Sequence, residues 1–173
     1  LPGMPWDEAE LLLVSFDRAG GMRKPRRIVG GNGTAASHPA WAPDGQLVYI
    51  SDASGRGALM RFDGRRSAVV SREPLEFGRP PWVFGTAPFT IDRTGSVWAA
   101  PLWPRRPDPS RSELLEIPLR RSRRQRHRID AATLDCLVAA DGGVAGIAAD
   151  MVAPTAVTSF VVSDGLTPHR LRT

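Results

Sequence analysis

The sequence has few of the features that mark secreted, membrane-bound or disulfide-stabilised proteins. Its 173 residues include one cysteine, Cys136, which excludes an intrachain disulfide and makes a reducing cytoplasm the expected location. No run approaches the roughly 18 consecutive apolar residues of a membrane span, so no membrane partner is expected. No basic stretch followed by an apolar one opens the chain, and no signal peptide is expected. An initiator methionine is also missing, and we expect the chain to be a piece of a longer protein.

The sequence also lacks a clear helical pattern. Only residues 7–14 could form an amphipathic helix, and their run of leucines fits a strand as well. The chain contains 17 glycines and 16 prolines, a balance that suits many short strands joined by turns. Its hydrophobic content of 42% is that of an ordinary globular protein and argues against disorder. The composition therefore predicts an all-β domain with a real core.

One hairpin signal is especially clear, the stretch His38-Pro-Ala-Trp-Ala-Pro-Asp-Gly45 followed by the strand at 46–51. Pro43 presets its backbone φ for a turn, and Asp44 and Gly45 tolerate left-handed geometry. The following residues are rich in β-branched and aromatic side chains, as strands are. This stretch predicts a strand, a tight turn and a second strand.

The same signals recur along the chain at a steady spacing. Three turn glycines, Gly45, Gly95 and Gly142, follow one another at 50 and 47 residues. Four strands in roughly 40 to 50 residues are typical of one β-propeller blade. We therefore predict one partial propeller domain over residues 1–173, with about three and a half four-stranded antiparallel blades, at about 8–30, 38–72, 80–130 and 133–173. The predicted strands lie at 10–16, 26–29, 40–42, 46–51, 58–62, 67–71, 96–100, 113–119, 126–129, 134–139, 144–149, 157–162 and 169–172. Residues 81–84 are predicted to start the second repeat of the pattern, and residues 89–95 to hold a further strand and its turn.

The positive charge of the chain is concentrated in one segment. Residues 103–128 hold nine arginines and three acidic residues, a net charge of +6, so that the rest of the chain carries −1 of the total +5. Dense guanidinium charge can recruit phosphate, which makes nucleic-acid binding one hypothesis. The segment lacks interleaved aromatics after Trp103 and has a strand running through it. A charged outer blade edge that discourages strand pairing explains it more simply, and a nucleic-acid partner is not expected.

The residues that most often carry chemistry are sparse. None of the three histidines, His38, His127 and His169, has a cysteine, histidine or acidic neighbour at metal-ligand spacing, so neither a metal nor a cofactor is expected. Cys136 lies between leucines and is predicted to be a small buried hydrophobe. Two tryptophans at corresponding blade positions, Trp41 and Trp82, are predicted to wedge between neighbouring blades.

Several stretches together resemble a known family. Met4-Pro-Trp-Asp7, His38-Pro-Ala-Trp-Ala-Pro-Asp-Gly45, Tyr49-Ile-Ser-Asp52 and Glu76-Phe-Gly-Arg-Pro-Pro-Trp-Val-Phe-Gly85 stand in that order. In series they resemble the C-terminal part of the N-terminal β-propeller of bacterial serine peptidases of the prolyl oligopeptidase family. The acylaminoacyl-peptidase and dipeptidyl-peptidase-like branch is the nearest. The resemblance is dense from residue 4 to residue 100 and thins through the arginine-rich segment.

The resemblance implies a cytoplasmic hydrolase in which the propeller packs on an α/β-hydrolase domain and gates peptide access. Such a domain carries a Gly-x-Ser-x-Gly nucleophile elbow. No such motif occurs in this sequence, so no catalytic residue is assigned and the chain alone is not predicted to be active. Trp6, Trp82 and Phe84 fall near inner-strand ends and are predicted to line the path of the peptide substrate.

Two further interpretations stay open at this stage. The chain could be a stand-alone propeller that serves as a protein-binding or scaffolding module. An open propeller also leaves blade faces bare, which predicts self-association. Peptide specificity, exo- or endopeptidase action and oligomeric state have no signal in the sequence.

Overall fold

The computed structural model describes residues 4, 6–71, 73–80, 82–102, 111–120, 125–140 and 142–171. Within this part of the chain, fourteen strands form four antiparallel sheets, which we number in chain order. Pro81, the turn residue Asp141 and residues 103–110 and 121–124 of the arginine-rich segment, including Trp103, lie outside the described residues. The strands are β1 (Leu11–Leu13) and β2 (Arg26–Val29) in sheet 1; β3 (Ala36–Trp41), β4 (Leu47–Ser51), β5 (Ala58–Phe62) and β6 (Ser67–Val69) in sheet 2; β7 (Phe89–Ile91), β8 (Ser96–Ala99), β9 (Ser112–Pro118) and β10 (Gln125–Ile129) in sheet 3; β11 (Thr133–Ala140), β12 (Gly143–Ala149), β13 (Ala156–Val161) and β14 (Pro168–Arg170) in sheet 4.

Each sheet is a meander in which consecutive strands pair with one another. The turn between β7 and β8 shows why its sequence makes a hairpin. Asp92 Oδ1 accepts hydrogen bonds from the backbone N–H groups of Thr94 at 2.8 Å and Ser96 at 3.0 Å. Gly95 between them has a φ of 86°, which a side chain would disfavour. Asp44 and Gly45 make the corresponding turn between β3 and β4.

The core lies between the sheets and consists of three apolar clusters in series. The first joins sheets 1 and 2, the second joins sheets 2 and 3, and the third joins sheets 3 and 4. Tyr49 in the first, Leu59 in the second and Phe160 in the third are each fully buried. Because every interior sheet presents apolar side chains on both faces, the sheets stack as propeller blades do.

These features confirm the predicted fold class, an all-β partial propeller. The described residues contain no α-helix, only a single-turn 3₁₀ helix at Val162–Asp164. No helix in this part of the chain is long and apolar enough to cross a membrane.

The structure corrects one strand prediction and three side-chain predictions. The strand predicted at 10–16 is confined to Leu11–Leu13, and Leu12 within it is 54% exposed, because no sheet in the described part of the chain covers its outer side. Trp41 and Trp82 are 58% and 61% exposed, so neither wedges between the sheets described. Cys136 is only partly buried, because its backbone φ of 53° turns it out of the regular strand.

The arginine-rich segment contributes an outer edge strand, as expected from its charge. β10 is the last strand of sheet 3. Arg126 in this strand forms ion pairs with Glu113 of β9 and with Glu73 of the loop that follows sheet 2. The described part of the segment therefore includes a tie between two sheets.

Candidate functional site

The site predicted from the sequence lies on the long loop between sheets 2 and 3. Trp82 on this loop contacts Trp6, with ring centroids 5.6 Å apart and an edge-to-face angle of 71°. Phe84 lies two residues further along the same turn, and its side chain is 95% exposed. The structure therefore brings Trp6 and Trp82 together and leaves Phe84, two residues after Trp82, almost fully exposed. We call these three residues the aromatic patch.

The loop that carries the aromatic patch is held firmly by Glu76. Its carboxylate accepts hydrogen bonds from the backbone N–H groups of Gly57 at 3.0 Å and Gly78 at 2.6 Å. The backbone carbonyl of Glu76 accepts a further bond from Leu102 at 2.7 Å. The neighbouring Phe77 is 1% exposed and packs in the core between sheets 2 and 3. Hydrogen bonds to an ionised carboxylate are strong, so the patch stands on a well-anchored base.

The end of the same loop contacts two irregular positions in the inner strands. His38 in β3 and Cys136 in β11 both have a φ of 53°, and each lies where the pairing with the next strand shifts register. His38 Nε2 lies 3.2 Å from Thr86 Oγ1, and Cys136 Sγ lies 3.2 Å from the carbonyl oxygen of Gly85. The two bulges thus aim their side chains at consecutive residues of one turn.

Asp135 links this turn to sheet 4. Its Oδ1 accepts hydrogen bonds from the backbone N–H groups of Ala87 at 3.1 Å and Cys136 at 2.7 Å. Its Oδ2 forms an ion pair with Arg79 Nε at 2.9 Å. Arg79, whose side chain is 6% exposed, also donates to the carbonyl of Ala100 at 3.0 Å. A buried guanidinium is tolerable here because it is paired and hydrogen-bonded.

The electrostatic setting of His38 favours its neutral form. Burial lowers the pKa of His38, the charge of Asp135 acts in the opposite direction, and Arg79 lowers the pKa further. A neutral imidazole has one donor and one acceptor nitrogen, and its partners here are the hydroxyls of Ser37 and Thr86. His38 therefore fixes loop geometry.

This group of residues does not assemble catalytic chemistry. The Cys136 thiol is directed at a carbonyl oxygen and not at a base, whereas a nucleophilic cysteine needs a base beside it. Within the part of the chain that the structure describes, no three histidine, cysteine or acidic residues are grouped to hold a metal ion. What the surface can do is bind, through exposed aromatic rings on a rigid loop.

Sequence reasoning missed the contacts of His38, Asp135 and Cys136 with this loop. His38 and Cys136 are 98 positions apart in the sequence and meet the same turn only because the stacked sheets bring β3, β7 and β11 together. The bulges that aim them are a tertiary feature, and the turn that the sequence predicts nearest to His38, at Pro43–Gly45, lies beyond the bulge. Only the repeat spacing hinted that they occupy corresponding strands.

A separate cleft of about 750 Å³ lies at the other end of β7, between sheets 3 and 4. Its polar lining includes Asp92, Arg93, Thr94 and Glu116. Burial would raise the pKa of Asp92, but hydrogen bonds from Thr94, Trp98 and the backbone of Ser96 outweigh it and hold the pKa below its usual value. These bonds make Asp92 a turn-forming residue rather than an acid.

The fold of this chain is similar to part of several solved peptidase structures. The chain superposes on puromycin hydrolase with a TM-score of 0.82 at 22% identity, over 98% of its own length and 25% of the peptidase. The superposition on a puromycin-hydrolyzing peptidase from Mycobacterium tuberculosis has a TM-score of 0.81 at 21% identity. It covers 99% of this chain and 26% of that peptidase. The superposition on a puromycin hydrolase variant in complex with PGG has a TM-score of 0.81 at 22% identity. It covers 98% of this chain and 25% of that protein.

The chain has the fold of a propeller segment of these peptidases. They belong to the prolyl oligopeptidase family, so the resemblance drawn from the sequence motifs is confirmed at the level of the fold. The chain spans about a quarter of the length of each of these structures. No family model matches the chain. No curated protein matches it significantly.

Proposed function

We propose that this chain is the non-catalytic propeller portion of a serine peptidase of the prolyl oligopeptidase family. It packs on an α/β-hydrolase domain and controls which peptides reach that domain's active site. The observation that carries the proposal is the superposition of nearly the whole chain on one quarter of such peptidases. In these neighbours the propeller packs on a hydrolase domain, which supports the same partner here. A cytoplasmic location stays a prediction from the single cysteine.

The aromatic patch is the part of this surface that meets the peptide. Trp82 and Phe84 are both largely exposed, while Glu76 and Arg79 hold the loop beneath them. Edge-to-face and stacked aromatic contacts stabilise a complex by about 0.5–1.5 kcal/mol beyond simple area burial. The patch therefore favours peptides with an aromatic or large apolar side chain.

The non-catalytic role of this chain is tested by an activity assay on the purified chain. With chromogenic aminoacyl and peptide anilides we expect no hydrolysis above the buffer rate, because no nucleophile elbow is present. The coding frame around the chain should continue into an α/β-hydrolase pattern with a Gly-x-Ser-x-Gly motif. Turnover that a serine-directed reagent blocks would refute the non-catalytic assignment, and a frame holding only further propeller blades would favour the stand-alone binding module.

The role of the aromatic patch is tested by a binding titration. Tryptophan fluorescence of the chain is followed while a short aromatic peptide amide or a dialanine amide is added. Trp82→Ala and Phe84→Ala should each weaken the aromatic peptide about 2–10-fold, as expected for the loss of one aromatic contact. Trp41→Ala is the matched control, because Trp41 is about as exposed as Trp82 but is the last residue of β3 and not part of the loop between sheets 2 and 3. Equal affinities in all three variants would remove the patch from the substrate path.

A further inference from the structure

The aromatic patch is joined to sheet 3 by a short turn at residues 85–87, which directly follows Phe84 and which we call the patch turn. Cys136 and His38 contact the first two residues of the patch turn, and Asp135 accepts a hydrogen bond from the third. These three side chains come from β3 and β11, two strands outside the loop. The position of the patch therefore depends on side chains that belong to other sheets.

His38 is the one of these three whose charge ordinarily changes between pH 5 and 8. Its ring lies between two hydroxyls, with Nδ1 2.9 Å from Ser37 Oγ and Nε2 3.2 Å from Thr86 Oγ1. A neutral imidazole satisfies both contacts with one donor and one acceptor nitrogen. Because burial lowers the pKa of His38, the closed patch turn favours this neutral ring.

The charged side chains that act on His38 are Asp135 of β11 and Arg79 of the loop after sheet 2. The neighbouring strands β1, β4 and β7 contain no charged residue within their bounds. Tyr49 of β4 is fully buried in the cluster with sheet 1 and donates its hydroxyl to Ser67 at 2.7 Å. The electrostatic balance at His38 therefore depends on one carboxylate and one guanidinium.

That single carboxylate is already in use. Asp135 Oδ2 pairs with Arg79 Nε at 2.9 Å, and Arg79 is 6% exposed and needs this partner. Asp135 Oδ1 accepts hydrogen bonds from the backbone N–H groups of Ala87 and Cys136. A protonated His38 would place a second cation beside one carboxylate, and a partly buried site with net positive charge is unfavourable.

We propose that His38 is a pH-sensitive latch on the aromatic patch, whose neutral ring holds the patch turn closed and whose protonation releases the turn and weakens the binding of aromatic peptides. When the turn is released, the ring meets water and binds a proton near the ordinary histidine pKa of about 6.5. In the closed turn its pKa is lower, so the closed state binds fewer protons. Lowering the pH through about 6.5 therefore favours release, and raising it restores closure. The effect on peptides rests on the proposed function, whereas the release of the turn does not.

The release is tested without any peptide, by hydrogen–deuterium exchange of residues 83–90 in the purified full chain at about pH 7.5 and about pH 5.5. His38→Asn is the matched variant, because asparagine tolerates the φ of 53°, keeps a donor and an acceptor, and does not titrate. Comparing both proteins at the same pH cancels the intrinsic effect of pH on exchange. We expect the ratio of the exchange rate in the unaltered chain to that in the variant to rise about threefold or more at the lower pH.

The effect on the patch is tested with an N-acetylated aromatic peptide amide, which has no titrating group. Its affinity for the unaltered chain, followed by tryptophan fluorescence, should fall about threefold or more from the higher to the lower pH. In His38→Asn the affinity should be the same at both pH values. His127→Asn and His169→Asn are the controls and should keep the pH dependence, because neither histidine contacts the patch turn in the described structure.

The two measurements separate the latch from the proposed peptide binding. An exchange ratio that does not change with pH overturns the latch. A ratio that rises while the peptide binds to no protein at either pH supports the latch and overturns the peptide-binding role of the patch. A peptide affinity that is independent of pH despite a rising ratio overturns the control of the patch by His38.

A second variant covers the case in which circular dichroism shows that His38→Asn is not folded. Thr86→Val keeps the β-branched shape and removes the hydroxyl that His38 Nε2 contacts. Residues 83–90 should then exchange faster than in the unaltered chain at about pH 7.5 and respond less to acidification. Exchange in Thr86→Val that equals that of the unaltered chain at both pH values overturns the latch.

Discussion

The Asp135 side chain joins its own strand to two other segments of the chain. It pairs with Arg79 on the loop after sheet 2, accepts a hydrogen bond from Ala87 before β7, and caps the backbone of Cys136 in its own strand. Arg79 is almost fully buried, so its charge depends on this carboxylate for compensation. The charged pair therefore ties sheet 4 to the loop that carries the aromatic patch.

Replacement of Asp135 by alanine should reduce the free energy of unfolding by about 3–5 kcal/mol, the usual cost of leaving one member of a buried ion pair without its partner. Urea unfolding followed by tryptophan fluorescence measures the change. Asp130→Ala is the matched control, because Asp130 pairs with Arg111 at 3.1 Å but is 74% exposed. Exposed pairs of this kind contribute about 0–1 kcal/mol. Equal losses in the two variants would contradict the importance assigned to Asp135.

At the scale of single residues, the sequence predicted turns better than exposure. Asp44 and Gly45 form the predicted turn because their chemistry acts within four residues. Trp41 and Trp82 were expected between blades and are exposed, since which side of a strand meets another sheet depends on segments far away in the chain. The sequence predicts that Trp6 and Trp82 both line the substrate path, but only the folded structure shows that their rings contact each other.

At the scale of elements, the tight hairpin between β11 and β12 shows two different demands on glycine. Gly142 has a φ of 78°, and a Cβ there would meet open space. A Cβ on the adjacent Gly143 would lie 2.2 Å from the carbonyl oxygen of Phe160 on β13. The first glycine serves the turn, and the second allows β12 and β13 to approach each other.

Gly143→Ala should therefore destabilise the protein by about 3 kcal/mol or more, since the backbone oxygen it meets can move only if the strand pairing is disturbed. Gly142→Ala should cost about 1–2 kcal/mol, the penalty of a left-handed conformation for a residue with a Cβ. Thermal unfolding of both variants measures the difference. The reverse order of stability would show that β13 yields easily at this point.

The sequence predicts where strands occur more closely than it predicts the residues at which they begin and end. The inner strand expected at 40–42 extends over Ala36–Trp41, because the bulge at His38 lets pairing with β4 resume on both of its sides. A bulge depends on the backbone conformation of one residue, here a φ of 53° at a histidine. The pattern of side chains in the sequence does not predict this bulge.

At the scale of the whole molecule, the stack has interior sheets that are covered on both faces and end sheets that are covered on one. The apolar clusters between the sheets supply the hydrophobic stabilisation of the stack.

The sequence by itself determined the fold class, the strand-and-turn repeat and the absence of a nucleophile elbow. These follow from local chemistry, since turn residues and alternating side chains act over a few positions, and a motif is either present or not. Only the tertiary structure decided that Trp82 meets Trp6, that Asp135 compensates Arg79, and that Ile147 and Val157 stay exposed where Ile50 and Leu59 are buried. Such contacts depend on how sheets formed by distant parts of the sequence stack on one another. The same local pattern is therefore buried where another sheet packs against it and exposed where none does.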